Sequence, residues 1–373
     1  MVSRVGLDFE SASAGAPRGR MRPTPTHRFA LPDPGRTSHA TYAALDLGTN
    51  NCRLLIARPS LGLGESGFRI VDAFSRIVRL GDGLSRSNQL NAAAIERTLC
   101  ALEICRDKIL AHSVHRARLI ATEACRAAVN GLEFIAQVRY HTGLDLEIVD
   151  RKTEAHLAAA GCAALADPEA EAAVLFDIGG GSSEVVWLSH HKTGTSQPCA
   201  KNPGALAKVN LWTSLKLGVV TLAEKFGGID VTPDIFEAMV ESVMRELRPF
   251  ARRAGAEQRC ARFHLLGTSG TVTTLAGLHL DLPRYDRRRV DGLWMSHAEV
   301  DAAMRRLLAM SWRERVANGC IGPERADLVL AGCAIFEGIR RAFPSTRVRI
   351  ADRGLREGLL MQMMNADGAW SQN

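Results

Sequence analysis

The 373-residue sequence is poor in aromatic side chains (5%), and its nine cysteines are scattered without a Cys-x-x-Cys pair. No Cys/His cluster has the spacing of a zinc site, and an odd set of single cysteines is typical of reduced thiols in the cytoplasm. No apolar run is long enough to span a membrane, and the first residues lack the apolar stretch of a signal peptide. These absences predict a cytoplasmic globular protein with aliphatic cores and no membrane partner.

The formal net charge is +7, and much of the excess lies in residues 1–40. This segment is rich in Arg, Pro, Ser and Gly and has no hydrophobic period, which predicts a disordered basic tail. A positive charge favours polyanionic partners such as phosphate chains, nucleotides or nucleic acid. Nucleic acid itself is not predicted, because an arginine-rich composition explains the excess equally well.

The sequence DIGGGSSE at residues 177–184 follows the apolar run 172–176, which predicts a buried strand that enters a tight turn. Three glycines allow a ligand to approach the main chain, and exposed N–H groups there suit phosphate oxygens. Asp177 ends the strand, where a carboxylate can hold a cation or a water against a phosphate. A Walker loop is excluded because no GK[ST] follows, whereas a plain glycine hairpin stays an alternative.

A second segment with the same order of features lies at residues 42–57. An apolar strand leads to Asp46, Gly48 lies in the turn, and another strand follows. Arg53 is unusual on a short apolar strand and suggests an anionic partner. Two such hairpins, separated by the length of a domain, predict two related lobes that each present a phosphate loop to a shared cleft.

The remaining pattern predicts the order βββαβαβα in residues 41–167 and a repeat of strands and helices in residues 168–373. Gly270 lies in GTSGT, a third glycine-rich turn from a strand into a helix. Its backbone N–H groups suit a further phosphate or a ribose, although a tight packing turn explains it equally well. The predicted fold class is therefore α/β with two lobes.

Two glutamates directly follow predicted strands, at the edge where open sheets place their sites. Glu123 follows the strand 117–121, and Glu154 follows the strand 146–150. A water that attacks a phosphoryl group needs such a base. The alternative for each is a solvated glutamate in a first helical turn, favoured by the helix dipole. Arg126, one helical turn beyond Glu123, can pair with Glu123 or reach a phosphate.

Eight segments together resemble the exopolyphosphatase/guanosine pentaphosphate phosphohydrolase family, in its short two-domain form. They are DLGTN with Arg53, RLGDGL, ATEACRAAVNG, VDRKTEAHLA, FDIGGGSSE, LKLGVVTLAEKF, GTSGTVTTLA and ADRGLREGLL. The family belongs to the acetate-kinase/sugar-kinase/heat-shock/actin superfamily. The resemblance implies two actin-like (ribonuclease H-like) lobes, each a mixed β-sheet with helices, that flank a phosphate-binding cleft.

The resemblance also implies the chemistry. It implies that the cofactor is Mg²⁺ or Mn²⁺. The implied reaction is removal of terminal phosphate from inorganic polyphosphate, or of the 5′ γ-phosphate from guanosine pentaphosphate, a nucleotide of the stringent response. The base would be Glu123, and the metal ligands would be Asp46, Glu154 and Asp177. The phosphate-binding residues would be Gly48, Thr49, Asn50, Arg53, Gly179, Gly180, Gly181, Ser182 and Gly270.

Several points stay open at this stage. Asp291 stands where many relatives have a histidine, and the basic run 287–289 is a candidate to hold phosphates further along a chain. A kinase of the same superfamily and a non-catalytic sensor of polyphosphate or (p)ppGpp are the alternative functions. A kinase would need an acceptor-binding segment, and none is found in this sequence. A sensor would need no catalytic base. Substrate preference and oligomeric state, a homodimer included, are undetermined.

Overall fold

The computed structural model describes residues 40–60, 67–189, 208–260 and 262–370 of the chain. Of the predicted basic tail, residues 1–39 lie outside these residues. The first half forms five strands: β1 Tyr42–Leu47, β2 Asn51–Pro59, β3 Phe68–Ile77, β4 Arg116–Ala121 and β5 Glu147–Ile148. Their order in the sheet is β3-β2-β1-β4-β5, with β1 antiparallel to β2 and parallel to β4.

The second half forms six strands: β6 Ala172–Ile178, β7 Ser183–Ser189, β8 Lys208–Leu215, β9 Phe263–Thr268, β10 Trp294–Ser296 and β11 Arg347–Ala351. Their order is β10-β11-β9-β6-β7-β8, with β6 antiparallel to β7 and parallel to β9. Three antiparallel strands followed by parallel ones therefore occur in both sheets. The prediction of two related α/β lobes with mixed sheets is confirmed.

The helices surround these sheets. They are α1 Leu84–Ser87, α2 Ala92–Ala111, α3 Glu123–Ala127, α4 Gly131–Thr142, α5 Arg151–Cys162, α6 Val219–Phe226, α7 Pro233–Cys260, α8 Gly270–His279, α9 Arg287–Val290, α10 His297–Leu308, α11 Trp312–Ala317, α12 Val329–Ala342 and α13 Leu355–Ala366. None of them, in the part of the chain described, is both long and apolar enough to cross a membrane.

Local sequence explains where the helices around the cleft begin. The Asn91 side chain accepts a hydrogen bond from the backbone N–H of Ala94 at 2.8 Å and begins α2. Asp150 caps α5 in the same way through Thr153. The predicted strand 146–150 is shortened to two residues because Asp150 already belongs to this cap. The short elements α1, α9, α11 and β10 were not predicted, since segments of three to six residues are too short to show a hydrophobic period.

Each sheet is covered by a helix from the other half of the chain. Helix α13 packs on the first sheet, where Leu359 and Met363 join a buried cluster with Tyr42 and Leu55. Helix α5 packs on the second sheet through a cluster lined by Ala155, Ala158, Cys162, Leu175 and Val186. The predicted boundary after residue 167 thus separates the two sheets but not the helices that cover them. The division into domains itself stays a prediction.

The two exchanged helices cross in very close contact. A Cβ on Gly161 of α5 would lie 1.9 Å from the carbonyl oxygen of Gly354, and one on Gly358 of α13 would lie 2.1 Å from that of Leu157. Only glycine permits such an approach of two backbones. This crossing joins the lobes on one side and leaves a cleft between the two sheets on the other.

Candidate active site

The turns of two equivalent hairpins, β1–β2 and β6–β7, form the centre of the cleft. The N–H of Gly48 donates to the carbonyl of Asn51 at 2.8 Å, and the N–H of Gly179 donates to that of Ser182 at 3.0 Å. In the ladders below these turns, Asp46 lies opposite Arg53, and Asp177 lies opposite Glu184. The two hairpins thus have the same geometry but different charges.

The tips of the hairpins touch each other. A Cβ on Gly181 would lie 2.6 Å from Oγ1 of Thr49, and one on Gly180 would lie 3.1 Å from the backbone nitrogen of Asn50. The contact between the lobes therefore requires glycine at these two positions, whether or not a ligand also requires it. Within the described residues, the backbone N–H groups of Thr49, Asn50, Gly180 and Gly181 donate to no acceptor. They remain available to an anion.

A cavity of about 400 Å³ surrounds these tips. It brings together every residue to which the resemblance assigns a role: Asp46, Gly48, Thr49, Asn50, Arg53, Glu123, Glu154, Asp177, Gly179, Gly180, Gly181, Ser182 and Gly270. It is also lined by residues that the sequence did not identify, among them Glu184, Arg325, Arg356 and Glu357. Asn50 contributes a buried Oδ1 without a hydrogen-bond partner in the described chain, which is a site for a donor from a ligand or water.

Carboxylates line this cavity. Asp46 and Asp177 accept no hydrogen bond from a described residue. Loss of contact with water is the largest cause that raises both pKa values, that of Asp177 to about 8, where the charges of Glu184 and Asp46 add to the effect. The pKa of Glu184 is raised to about 7 by burial, against the opposing effect of hydroxyl donors from Ser214 (2.8 Å) and Ser182 (3.0 Å).

Glu123 and Glu154 differ in how far their oxygens are engaged. Both oxygens of Glu123 are occupied by guanidinium groups: Arg126 Nη2 lies 2.5 Å from Oε2, and Arg151 Nη2 lies 2.7 Å from Oε1. Glu154 has one ion-pair contact, 3.2 Å from Arg126 Nη2. Burial, followed by repulsion from Glu184, raises the pKa of Glu154 well above its usual value. Glu154 is thus the less restrained of the two.

Positive charge lines the same cavity. The guanidinium groups of Arg53, Arg325 and Arg356 form no ion pair within the described residues. Burial is the largest cause of a lowered pKa of Arg356, and the charge of Arg53 acts in the same direction. Two arginines held near each other without a carboxylate partner favour an anionic ligand.

Other basic candidates are already neutralised. Arg287 donates to the carbonyl oxygen of Asp352 at 2.6 Å and to Glu357 at 3.0 Å, while Arg288 and Arg289 are exposed. The run 287–289 therefore does not supply a row of free cations to the cavity. Asp291, the residue without an assigned role, holds Arg353 through an Nη2–Oδ2 contact of 2.5 Å.

The cavity was tested for a metal centre by its donor set. Within the described residues, no three Asp, Glu, His or Cys side chains converge closely enough to hold an ion by themselves. The hard oxygens of Asp46, Asp177 and Glu184 nevertheless fit a divalent cation whose shell is completed by water and phosphate oxygens, as Mg²⁺ prefers. A bound cation would also offset the burial, and the repulsion from Glu184 and Asp46, that raise the pKa of Asp177.

Sequence reasoning missed Glu184 and Arg356. For Glu184 the signal was present, because an acidic residue within the apolar strand 183–189 lies in register with Asp177. Arg356 lies within ADRGLREGLL, but nothing in the sequence shows that α13 crosses to the first sheet and presents this side chain beside Arg53. Its role could be recognised only from the tertiary structure.

Comparisons with known proteins identify related sequences and related folds. Exopolyphosphatase 2 of Mycobacterium tuberculosis is 31% identical over 306 residues, which cover 80% of this chain and 89% of that protein. The solved Ppx/GppA protein of Aquifex aeolicus has 27% identity and a TM-score of 0.69, over 88% of this chain and 98% of its own. An exopolyphosphatase structure from Cytophaga hutchinsonii, with 23% identity and a TM-score of 0.76 over 87% and 98%, shares the fold. The sequence model of the Ppx/GppA phosphatase family matches residues 56–367, and the chain therefore belongs to that family.

Proposed function

We propose that the protein is an exopolyphosphatase, which hydrolyses the terminal phosphoanhydride bond of inorganic polyphosphate with the help of Mg²⁺ or Mn²⁺. The observation that carries the proposal is the presence of both charges in one cavity. Guanidinium groups without an ion pair, free N–H donors and carboxylates without a hydrogen-bond donor line it together. A phosphate chain that carries a divalent cation complements both kinds of group. The name of the Mycobacterium tuberculosis relative supports polyphosphate as the substrate.

The hairpins have different tasks in this proposal. Arg53, Arg356 and the N–H groups of both turns bind the terminal phosphoryl group. Asp46, Asp177 and Glu184 would hold the cation, and the cation would neutralise charge on the phosphate oxygens. Arg325 binds a phosphate group behind the terminal one. Burial of these groups in a common cavity strengthens each electrostatic contact relative to bulk water.

The base that activates the attacking water is better represented by Glu154 than by the predicted Glu123. Glu154 has a single ion-pair contact, through Oε2, so its ionised form has an oxygen free to accept a proton, whereas both oxygens of Glu123 are already occupied. The water oxygen forms a bond to the terminal phosphorus as the anhydride bond breaks. The water proton passes to Glu154, and the products are orthophosphate and a chain one phosphate shorter. Glu123 instead holds Arg126 and Arg151 in position.

A direct comparison of variants tests this assignment. Phosphate release from long-chain polyphosphate and from guanosine pentaphosphate is measured with Mg²⁺ for wild type, Glu154→Gln and Glu123→Gln. Loss of a positioned base lowers kcat by about 10²–10⁴ with little change in KM. We expect this result for Glu154→Gln only. If Glu123→Gln shows the loss and Glu154→Gln does not, the base is Glu123, as the sequence predicted.

The same assay decides between substrates and functions. Release from guanosine pentaphosphate alone would replace polyphosphate as the substrate. Full activity after exhaustive treatment with EDTA would remove the cation from the mechanism. Phosphate transfer to an acceptor, without release of orthophosphate, would instead identify the kinase alternative. Tight binding without turnover would identify the sensor.

A further inference from the structure

Arg79 lies at the start of the loop RLGDGL, directly behind the first phosphate loop. Its backbone N–H donates to the carbonyl oxygen of Asn50 at 3.0 Å. Its backbone is in the left-handed region, with φ 48°, which a residue other than glycine adopts at an energetic cost. The position of Arg79 is therefore tied to that of the phosphate loop.

The side chain of Arg79 crosses to the second lobe. Nη1 donates to Oδ2 of Asp327 at 2.9 Å, and Nη2 donates to Oδ1 of Asp327 at 2.8 Å and to the carbonyl of Glu324 at 3.2 Å. Such a two-point contact fixes direction as well as distance. These hydrogen bonds are the largest cause of the raised pKa of Arg79. The guanidinium group thus joins the lobes in a defined geometry.

The segment that Arg79 binds carries a cavity arginine. Arg325 lies two residues before Asp327, and its Nη1 would be 3.5 Å from a Cβ on Gly270. Arg315 holds the other side of the same segment, because its Nη1 donates to the carbonyl of Ala326 at 3.0 Å. Arg325 is therefore placed by a segment that Arg315 and Arg79 hold between them.

Other contacts join the lobes independently of Arg79. The N–H of Gly83 donates to Oε1 of Glu224 at 2.9 Å, and the hydroxyl of Ser85 donates to Oε2 of the same side chain. The crossing of α5 and α13 provides a further connection. Removal of the Arg79 side chain should therefore leave the lobes together and change mainly the segment that carries Arg325.

We propose that Arg79 and Asp327 are positioning residues that set Arg325 at a fixed distance from the first phosphate loop, and thereby select substrates with a second phosphate group. This inference rests on the proposed function, since Arg325 is taken to bind a phosphate behind the terminal one. Arg79 and Asp327 do not touch the substrate. They act through the position of the segment that carries Arg325.

A double-mutant cycle distinguishes positioning from a merely structural role. KM for polyphosphate and the Kd of tripolyphosphate by calorimetry are measured for Arg79→Ala, Arg325→Ala and the double variant. Loss of one charge-assisted contact raises KM and Kd about tenfold in each single variant. The double variant should also lose about tenfold, because Arg325 has already lost its position in Arg79→Ala. An increase of about a hundredfold in KM and Kd of the double variant, the product of the two single effects, would overturn the proposal. So would an unchanged KM and Kd in Arg79→Ala.

Two further variants complete the experiment. Arg106→Ala removes an exposed ion pair of the same length, 2.8 Å to Asp107, and should leave KM and Kd unchanged. Asp327→Asn preserves the size of the side chain and replaces Arg79→Ala in the cycle if thermal melting shows that the alanine variant does not fold. The calorimetric cycle does not depend on turnover. If the wild-type protein releases no phosphate, the proposed function is overturned. The non-additivity of the Kd values for Arg79→Ala and Arg325→Ala still decides the role of Arg79.

Discussion

Asp177 and Glu184 lie directly opposite each other below the glycine turn of the second hairpin. Asp177 is half-buried and Glu184 is buried. Removal from water is the main cause that raises the pKa of Asp177 to about 8 and that of Glu184 to about 7. At the equivalent place in the first hairpin, Asp46 faces Arg53. The second hairpin therefore lacks the positive charge that the first one contains, and a divalent cation would supply it.

The first prediction concerns this cation. Protonation of Asp177 and Glu184 removes its ligands, so the apparent affinity for Mg²⁺ should fall as pH decreases from about 8 to about 6. The measurement is phosphate release as a function of Mg²⁺ concentration at each pH. Glu184→Gln should weaken the affinity about tenfold and flatten its pH dependence. An affinity that is independent of pH in the wild type would contradict this role.

The second prediction concerns stability without metal. A carboxyl group with a raised pKa in the folded state contributes stability below its unfolded value near pH 4, and this is lost as pH rises through about 8. Asp177→Asn removes the cost of the ionised form. In EDTA, this variant should melt at a higher temperature than wild type at pH 8, and the difference should vanish towards pH 4. A lower melting temperature at pH 8 would show that the Asp177 carboxylate is already compensated.

The third prediction concerns the contact between the hairpin tips. Gly181→Ala places a methyl group 2.6 Å from Oγ1 of Thr49 and 3.0 Å from Cγ of Glu123, so the lobes must separate slightly. A displacement of this size costs on the order of 10² in kcat/KM. Thr49→Ala in the same protein removes the closer obstacle and should restore part of the loss. If kcat/KM of the double variant is no higher than that of Gly181→Ala, glycine is required at position 181 by the bound ligand and not by the contact with Thr49.

The fourth prediction concerns Arg356. Arg356→Met keeps much of the side-chain length but removes an unpaired charge beside Arg53, so KM for polyphosphate should rise about tenfold. The increase of KM with added salt should become shallower, since fewer cations bind the polyanion. Arg288→Met, at an exposed position on α9, is the matched control. Equal effects of both substitutions would indicate attraction by general surface charge.

The hairpins and their residues could be predicted because their signals are local. A strand, an acidic residue, a glycine turn and a second strand are adjacent in sequence, and the second lobe repeats the pattern of the first. The role of Glu123 illustrates the limit of such reasoning. Its place after a strand suggested a free base, whereas Arg151, from a different helix, occupies one of its oxygens. The pairing of side chains from distant segments is set by packing and cannot be read from spacing.

The exchange of α5 and α13 was equally beyond the sequence pattern, and it sets an order of events during synthesis. The phenol of Tyr42 donates to Asp367, 325 residues later in the chain, at 3.0 Å. While the ribosome is still making the second lobe, the face of the first sheet that α13 will cover is exposed to water or to chaperones. The first sheet therefore has this face covered only after the chain has been translated through α13.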